Sequence, residues 1–139
     1  MPTAVTRNSR NAGLYLRPSG SGSYTKVNKS YGLVINTPVD KNDDSGHGQR
    51  FKTNTLGMHE FNIDLEKWYQ IYDDDLHNYS LNETLLDFLA YPNITDTGNY
   101  WSGKCYLGQD SMDASTGKTV SEKYSLVLAQ GDPTWNYAT

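Results

Sequence analysis

Cysteine is all but missing from this chain, where Cys105 stands alone. A lone thiol excludes an internal disulfide and fits a reducing compartment. Phenylalanine is scarce too, with three residues against eleven tyrosines and three tryptophans. No hydrophobic run approaches the length of a membrane span, so no membrane partner is expected. The opening MPTAVTRNSR carries bases but lacks the apolar stretch of a secretory signal. Twelve Lys and Arg face sixteen Asp and Glu, a formal net charge of −4. That balance argues against binding nucleic acid by phosphate neutralisation, which needs clustered cations.

The motifs of catalysis are missing as well. His47, His59 and His77 are dispersed, without an HExxH or a second cysteine, which argues against zinc. There is no GxSxG, no Walker loop and no GxGxxG, and the GSGS run reads as a turn. Asp40-x-Asn42-x-Asp44 starts like a calcium loop. Ser45 then stands where the glycine belongs and Phe51 where the bidentate glutamate belongs. Cys105, mid-strand among apolar neighbours, reads as a small core residue. Asp73, Asp74 and Asp75 read as a solvated loop. No enzyme activity, cofactor or metal is expected.

What is present is β-patterned. Tyr-rich and β-branched segments set among Gly, Ser and Asn point to sheets with wet outer faces. Strands are expected over residues 12–17, 31–39, 58–70, 99–107 and 120–130, with shorter ones between. In the 58–70 segment Phe61, Ile63, Leu65 and Tyr69 alternate with Glu60, Asn62, Asp64, Glu66 and Trp68, giving one core face and one wet face. Ser80 and Glu83 have capping-box spacing ahead of a leucine stripe and Pro92, which predicts one α-helix over 80–91. Between strands lies a long polar loop, residues 38–54, with mixed charges at Asp40, Lys41, Asp43, Asp44 and Arg50. A loop this long without a pattern of its own is usually functional or disordered. Residues 1–11 read as a polar arm. The sum is one domain over 1–139: mainly β, an antiparallel β-sandwich with one flanking α-helix and a long inter-strand loop. Hydrophobic residues, at 36%, are few enough to suggest a surface partly hidden against partners.

The order of segments resembles the tail tube (major tail) proteins of long-tailed bacteriophages and gene transfer agents. NAGLYLR leads to LVINTPVDKNDDSGHGQR, a strand running into an acidic loop. LGMHEFNIDLEKWY looks like that family's central strand and LNETLLDFLAY like its single helix. GNYWSGKCYLGQDSMDASTGKTVSEKYSLVLAQGDPTW looks like its closing strands, although the final DPTWNYAT departs from the family's shorter tail.

The resemblance implies hexameric rings stacked into a hollow tube, formed around a tape-measure protein and later crossed by DNA. End partners would be a tail terminator and distal tail or baseplate proteins; the tail would be assembled in the bacterial host cytoplasm. It further implies that the long loop and the arm bridge neighbouring rings. Arg7 and Arg10 on the arm, with Asp40, Lys41, Asp43, Asp44, His47 and Arg50 on the loop, are then the expected inter-subunit contacts. Glu60, Asp64 and Glu66 on the wet strand face are expected to line the lumen, because a channel for DNA should not grip phosphates. The inner tube of a contractile tail or a type VI-like injection system fits the same pattern. A different class, a carbohydrate-binding module, would need Trp68, Trp101 and Trp135 exposed and coplanar.

Overall fold

The computed structural model describes residues 12–71 and 73–137. Among these residues nine strands and one short helix run in the order β1 (Gly13–Pro18), β2 (Thr25–Lys26), β3 (Ser30–Asn36), β4 (Val39–Asp43), β5 (Asn54–His59), β6 (Asn62–Trp68), α1 (Asp75–Leu81), β7 (Leu86–Tyr91), β8 (Tyr100–Asp113) and β9 (Ser121–Asn136). Seven strands form one antiparallel sheet ordered β2-β1-β7-β8-β9-β6-β3. This sheet curls into a half-barrel that brings β1 and β3 within contact across the core. The two layers of the expected sandwich are thus supplied by one continuous curled sheet. The remaining strands, β4 and β5, pair with each other as a separate ribbon.

The core follows from alternation. Cross-strand pairing sets Ile35 beside Ile63, Ile63 beside Leu126 and Leu126 beside Leu107. Ile63, Leu65, Leu107, Tyr124 and Leu126 are all buried on the concave face, as the alternating pattern of residues 58–70 and 120–130 requires. Cys105 is buried among them. Removal from water pushes its thiol up to about 12, so it is a packing residue.

The helix is not where residues 80–91 suggested. It covers Asp75–Leu81, and Leu86–Tyr91 is strand β7, paired with β1 on one side and β8 on the other. Two physical causes explain the difference. The central strand β7 is buried on both faces, Leu86, Phe88 and Ala90 toward the core and Asp87 against cations, so it lacks a clean period of two. The apparent capping box is used otherwise: the Ser80 hydroxyl accepts the Gln109 amide at 3.0 Å, and Glu83 turns the chain with φ of 50°.

The 58–70 segment is also broken. β5 ends at His59 and β6 begins at Asn62, so the chain leaves the ribbon and enters the sheet at Glu60 and Phe61. The long loop is shorter than residues 38–54 implied, because its two arms are the strands of the ribbon, and only residues 44–53 form its end. Asp73 is not simply solvated: its carboxylate lies 3.6 Å from the buried Lys67 ammonium.

Candidate assembly surface

Four features outside the core carry the arrangement: the ribbon, the wet sheet face, a groove at the ribbon's base, and the two edges of the half-barrel.

The ribbon is pinned at its base by the Glu60 amide, which donates to the Pro38 carbonyl at 2.8 Å. Register runs from Val39 opposite His59 to Asp43 opposite Asn54. Its end is closed by local hydrogen bonds. The Asp44 amide donates to the Thr53 carbonyl at 3.0 Å, the Thr53 hydroxyl donates to the Asp44 carboxylate at 2.7 Å, and the Thr53 amide donates to Ser45 Oγ at 2.8 Å. The Ser45 amide donates to Asp43 Oδ1 at 2.9 Å, which holds the Asp43 carboxyl below its ordinary range. Asp40, Lys41, Asp43, Asp44, His47 and Arg50 all lie on this ribbon or its end, and all are exposed. Arg7 and Arg10 lie outside the described residues. Sequence reasoning missed the ribbon's apolar side chains: Phe51 is 81% exposed, Met58 78% and Leu56 65%. Their signal was present, because Leu56 and Met58 alternate with glycine and polar residues along one strand.

The wet face of the sheet brings together Asp64 of β6 and Asp110 of β8, both in contact with the Ser125 hydroxyl of β9. Asp64 also accepts from the Asn36 amide at 2.9 Å. Glu66 lies on the same face, 3.4 Å from the Lys123 ammonium, and that cation partly offsets its charge. Glu60, read as a third acid of this face, sits instead at the chain's passage from ribbon to sheet.

There it lines a groove of about 390 Å³. Phe61, Trp101, Leu128 and Pro133 form the apolar part, with Glu60 and Asp132 at the polar part. An aromatic ladder runs from the core to this groove. Phe88 and Phe61 are 5.7 Å apart, Phe61 and Trp101 5.0 Å, and Trp101 and Trp135 5.4 Å between centroids. Asp132 and Pro133 reach the groove through a bulge. Residues 130–133 lie opposite Gly103 alone, and Gln130 and Gly131 turn with φ of 46° and 93°. The Trp101 and Trp135 rings are tilted by 54°, and Trp68 stacks on Tyr31 at 4.3 Å. These three tryptophans therefore do not form a coplanar platform for a sugar ring.

The helix is fastened to the sheet by a polar network. Lys67 Nζ lies 3.7 Å from Glu122 Oε2, and Tyr124 and Gln109 both donate to Glu122 Oε1, at 3.2 and 3.4 Å. His77 of α1 meets Gln109 Oε1 at 3.1 Å. On the convex side, Asp87 accepts from Lys104, the Gly20 amide and Arg17. Burial raises its pKa, but those donors outweigh it and leave the carboxyl at about 2. Among the described residues no three His, Cys, Asp or Glu side chains gather as a metal site.

No family model and no curated protein sequence matches this chain. Solved structures do match in fold. One is the tail of an empty gene transfer agent particle, determined by helical refinement with C6 symmetry. It has a TM-score of 0.76 at 13% identity, covering 94% of this chain and 99% of that one. A second is the SPP1 tail tube, with a TM-score of 0.72 at 11% identity over 94% of this chain and 79% of that one. A third is the sheath/tube terminator of an extracellular contractile injection system, with a TM-score of 0.53 at 14% identity over 96% and 99%. The chain thus has the tail-tube fold that its segment order resembled.

Proposed function

We propose that this chain is the building block of a phage-like tail tube: copies join edge to edge into six-membered rings, and the rings stack into a hollow conduit. The observation that carries this reading is the half-barrel with two open edges. Among the described residues no strand lies beyond β3 at one end, and at the other the two-residue β2 covers only Tyr15 and Leu16 of β1. Open edges invite pairing with another chain, and a head-to-tail contact whose rotation closes yields a ring. The C6 symmetry of the matching gene transfer agent tail supports the number six.

In this reading the wet face with Asp64, Asp110 and Glu66 lines the bore, and the ribbon bridges to the next ring. The arm carrying Arg7 and Arg10 joins that bridge. A tape-measure protein occupies the lumen during assembly, DNA passes through it at ejection, and terminator and baseplate proteins cap the ends. The particle is a virion tail assembled in the host cytoplasm, and the subunit's role is structural, not enzymatic. The higher similarity to the gene transfer agent tail and the SPP1 tube than to the contractile-system terminator supports a tail tube over an injection-system inner tube.

Negative-stain electron microscopy of the purified protein at rising concentration tests the reading. Stacked rings or tubes support it, and a persistent monomer contradicts it.

A further inference from the structure

The ribbon presents an unusual end. Phe51, the most exposed large hydrophobic residue described, stands between Arg50 and Lys52, so an apolar knob is flanked by two cations. At the ribbon's other end lies its chemical complement: a groove of about 390 Å³ with an aromatic floor of Phe61 and Trp101, walls of Leu128 and Pro133, and the acids Glu60 and Asp132. The groove is roomier than one aromatic ring requires, and the two acids equal the two bases in number and oppose them in sign. His59, also at the groove, is the other titratable group there.

The two ends cannot meet within one chain. The ribbon pairs from Val39–His59 to Asp43–Asn54, and at about 3.3 Å per residue it holds its tip roughly 15 Å from its base. A two-stranded ribbon alone is marginal in water, and an exposed phenylalanine at its tip adds nothing to stability until something covers it. Knob and hole on one chain, mutually out of reach, define a heterologous contact that repeats from copy to copy.

We infer that the Arg50-Phe51-Lys52 tip of one copy seats in the groove of a second copy, with Phe51 against Phe61 and Trp101 and the two cations facing Glu60 and Asp132. This rests on the tube reading and names the receptor of its bridge. The occupant is another copy of this chain because the complementary partner is present on every copy, at equal concentration and with matched charge. The apolar centre supplies most of the affinity, and the charged rim sets register and salt dependence.

The test is a cysteine pair. In assembled protein under mild oxidation, Lys52→Cys together with Asp132→Cys gives a disulfide ladder extending beyond the dimer, and neither single variant does. The buried Cys105 stays silent. In parallel, Arg50→Glu with Lys52→Glu raises the concentration needed for assembly at least tenfold, and adding Glu60→Lys with Asp132→Lys restores it. Tubes that form normally, with no ladder and no effect of charge reversal, overturn this docking and leave the tube reading standing. A wild-type chain that never assembles overturns both.

Discussion

Lys67 Nζ lies 3.7 Å from Glu122 Oε2 inside the half-barrel, with the two residues only 1% and 3% exposed. Two charges this far from water persist because each is met by other polar groups, Asp73 for the lysine and Tyr124 and Gln109 for the glutamate. Proximity to the Glu122 carboxylate and burial together push the Tyr124 hydroxyl well above its ordinary pKa, burial being the larger cause.

Removing one member therefore costs more than removing both. Lys67→Met leaves Glu122 buried without its counter-charge and lowers unfolding free energy by about 3 kcal/mol. The double variant Lys67→Met with Glu122→Leu recovers most of that loss. Urea denaturation of the two variants beside wild type measures the difference.

Acid sensitivity centres on Asp87. Its folded pKa, about 2, lies below the ordinary 3.8, so its ionised form is favoured by folding. The stabilisation is fully present above about pH 4 and is lost as pH falls through 2. Asp87→Asn lowers stability at pH 7 and flattens the decline between pH 4 and 2. Thermal melts over that range check both effects.

Glu83 separates the observed turn from a helix over 80–91. With φ of 50°, Glu83→Gly relieves left-handed strain of about 1–2 kcal/mol and adds unfolded-chain freedom of about 0.5–1 kcal/mol. The net effect is a stabilisation of about 0.5 kcal/mol. In a helix interior the same change would lower stability by about 1 kcal/mol.

Gly103 of β8 lies between Phe88 of β7 and the bulge of β9. A Cβ there would lie 3.1 Å from Phe88 Cε1 and 3.4 Å from Pro133 Cα. Gly103→Ala is expected to lower stability by about 1–2 kcal/mol through overpacking, with a visible change in near-ultraviolet circular dichroism from the Trp101 and Phe61 ladder.

The fold was legible where one face of a strand is wet. Ile63, Leu65 and Tyr124 alternate with polar neighbours, and the structure buries them as that period requires. Legibility failed where burial is two-sided or a polar residue is internal. β7 mimicked a helix because Asp87 is held inside by Arg17 and Lys104, partners 70 and 17 residues away in sequence. Lys67 and Glu122 hide for the same reason, since nothing local announces that two charges will meet across a sheet. The ribbon's charges were visible in sequence, but its groove was not. Phe61, Trp101 and Pro133 come together only through the strand break at Glu60 and the bulge at residues 130–133.

In the proposed tube this half-barrel closes into rings through its edges and stacks through its ribbon. A helical cryo-electron microscopy reconstruction of the assembled protein tests it most directly. The expected map has six copies per ring, β3 of each beside the β1–β2 edge of its neighbour, Asp64 and Asp110 facing the bore, and the ribbon reaching the next ring. Tubes whose bore is lined by Lys and Arg, or whose β3 edges face solvent, would contradict it.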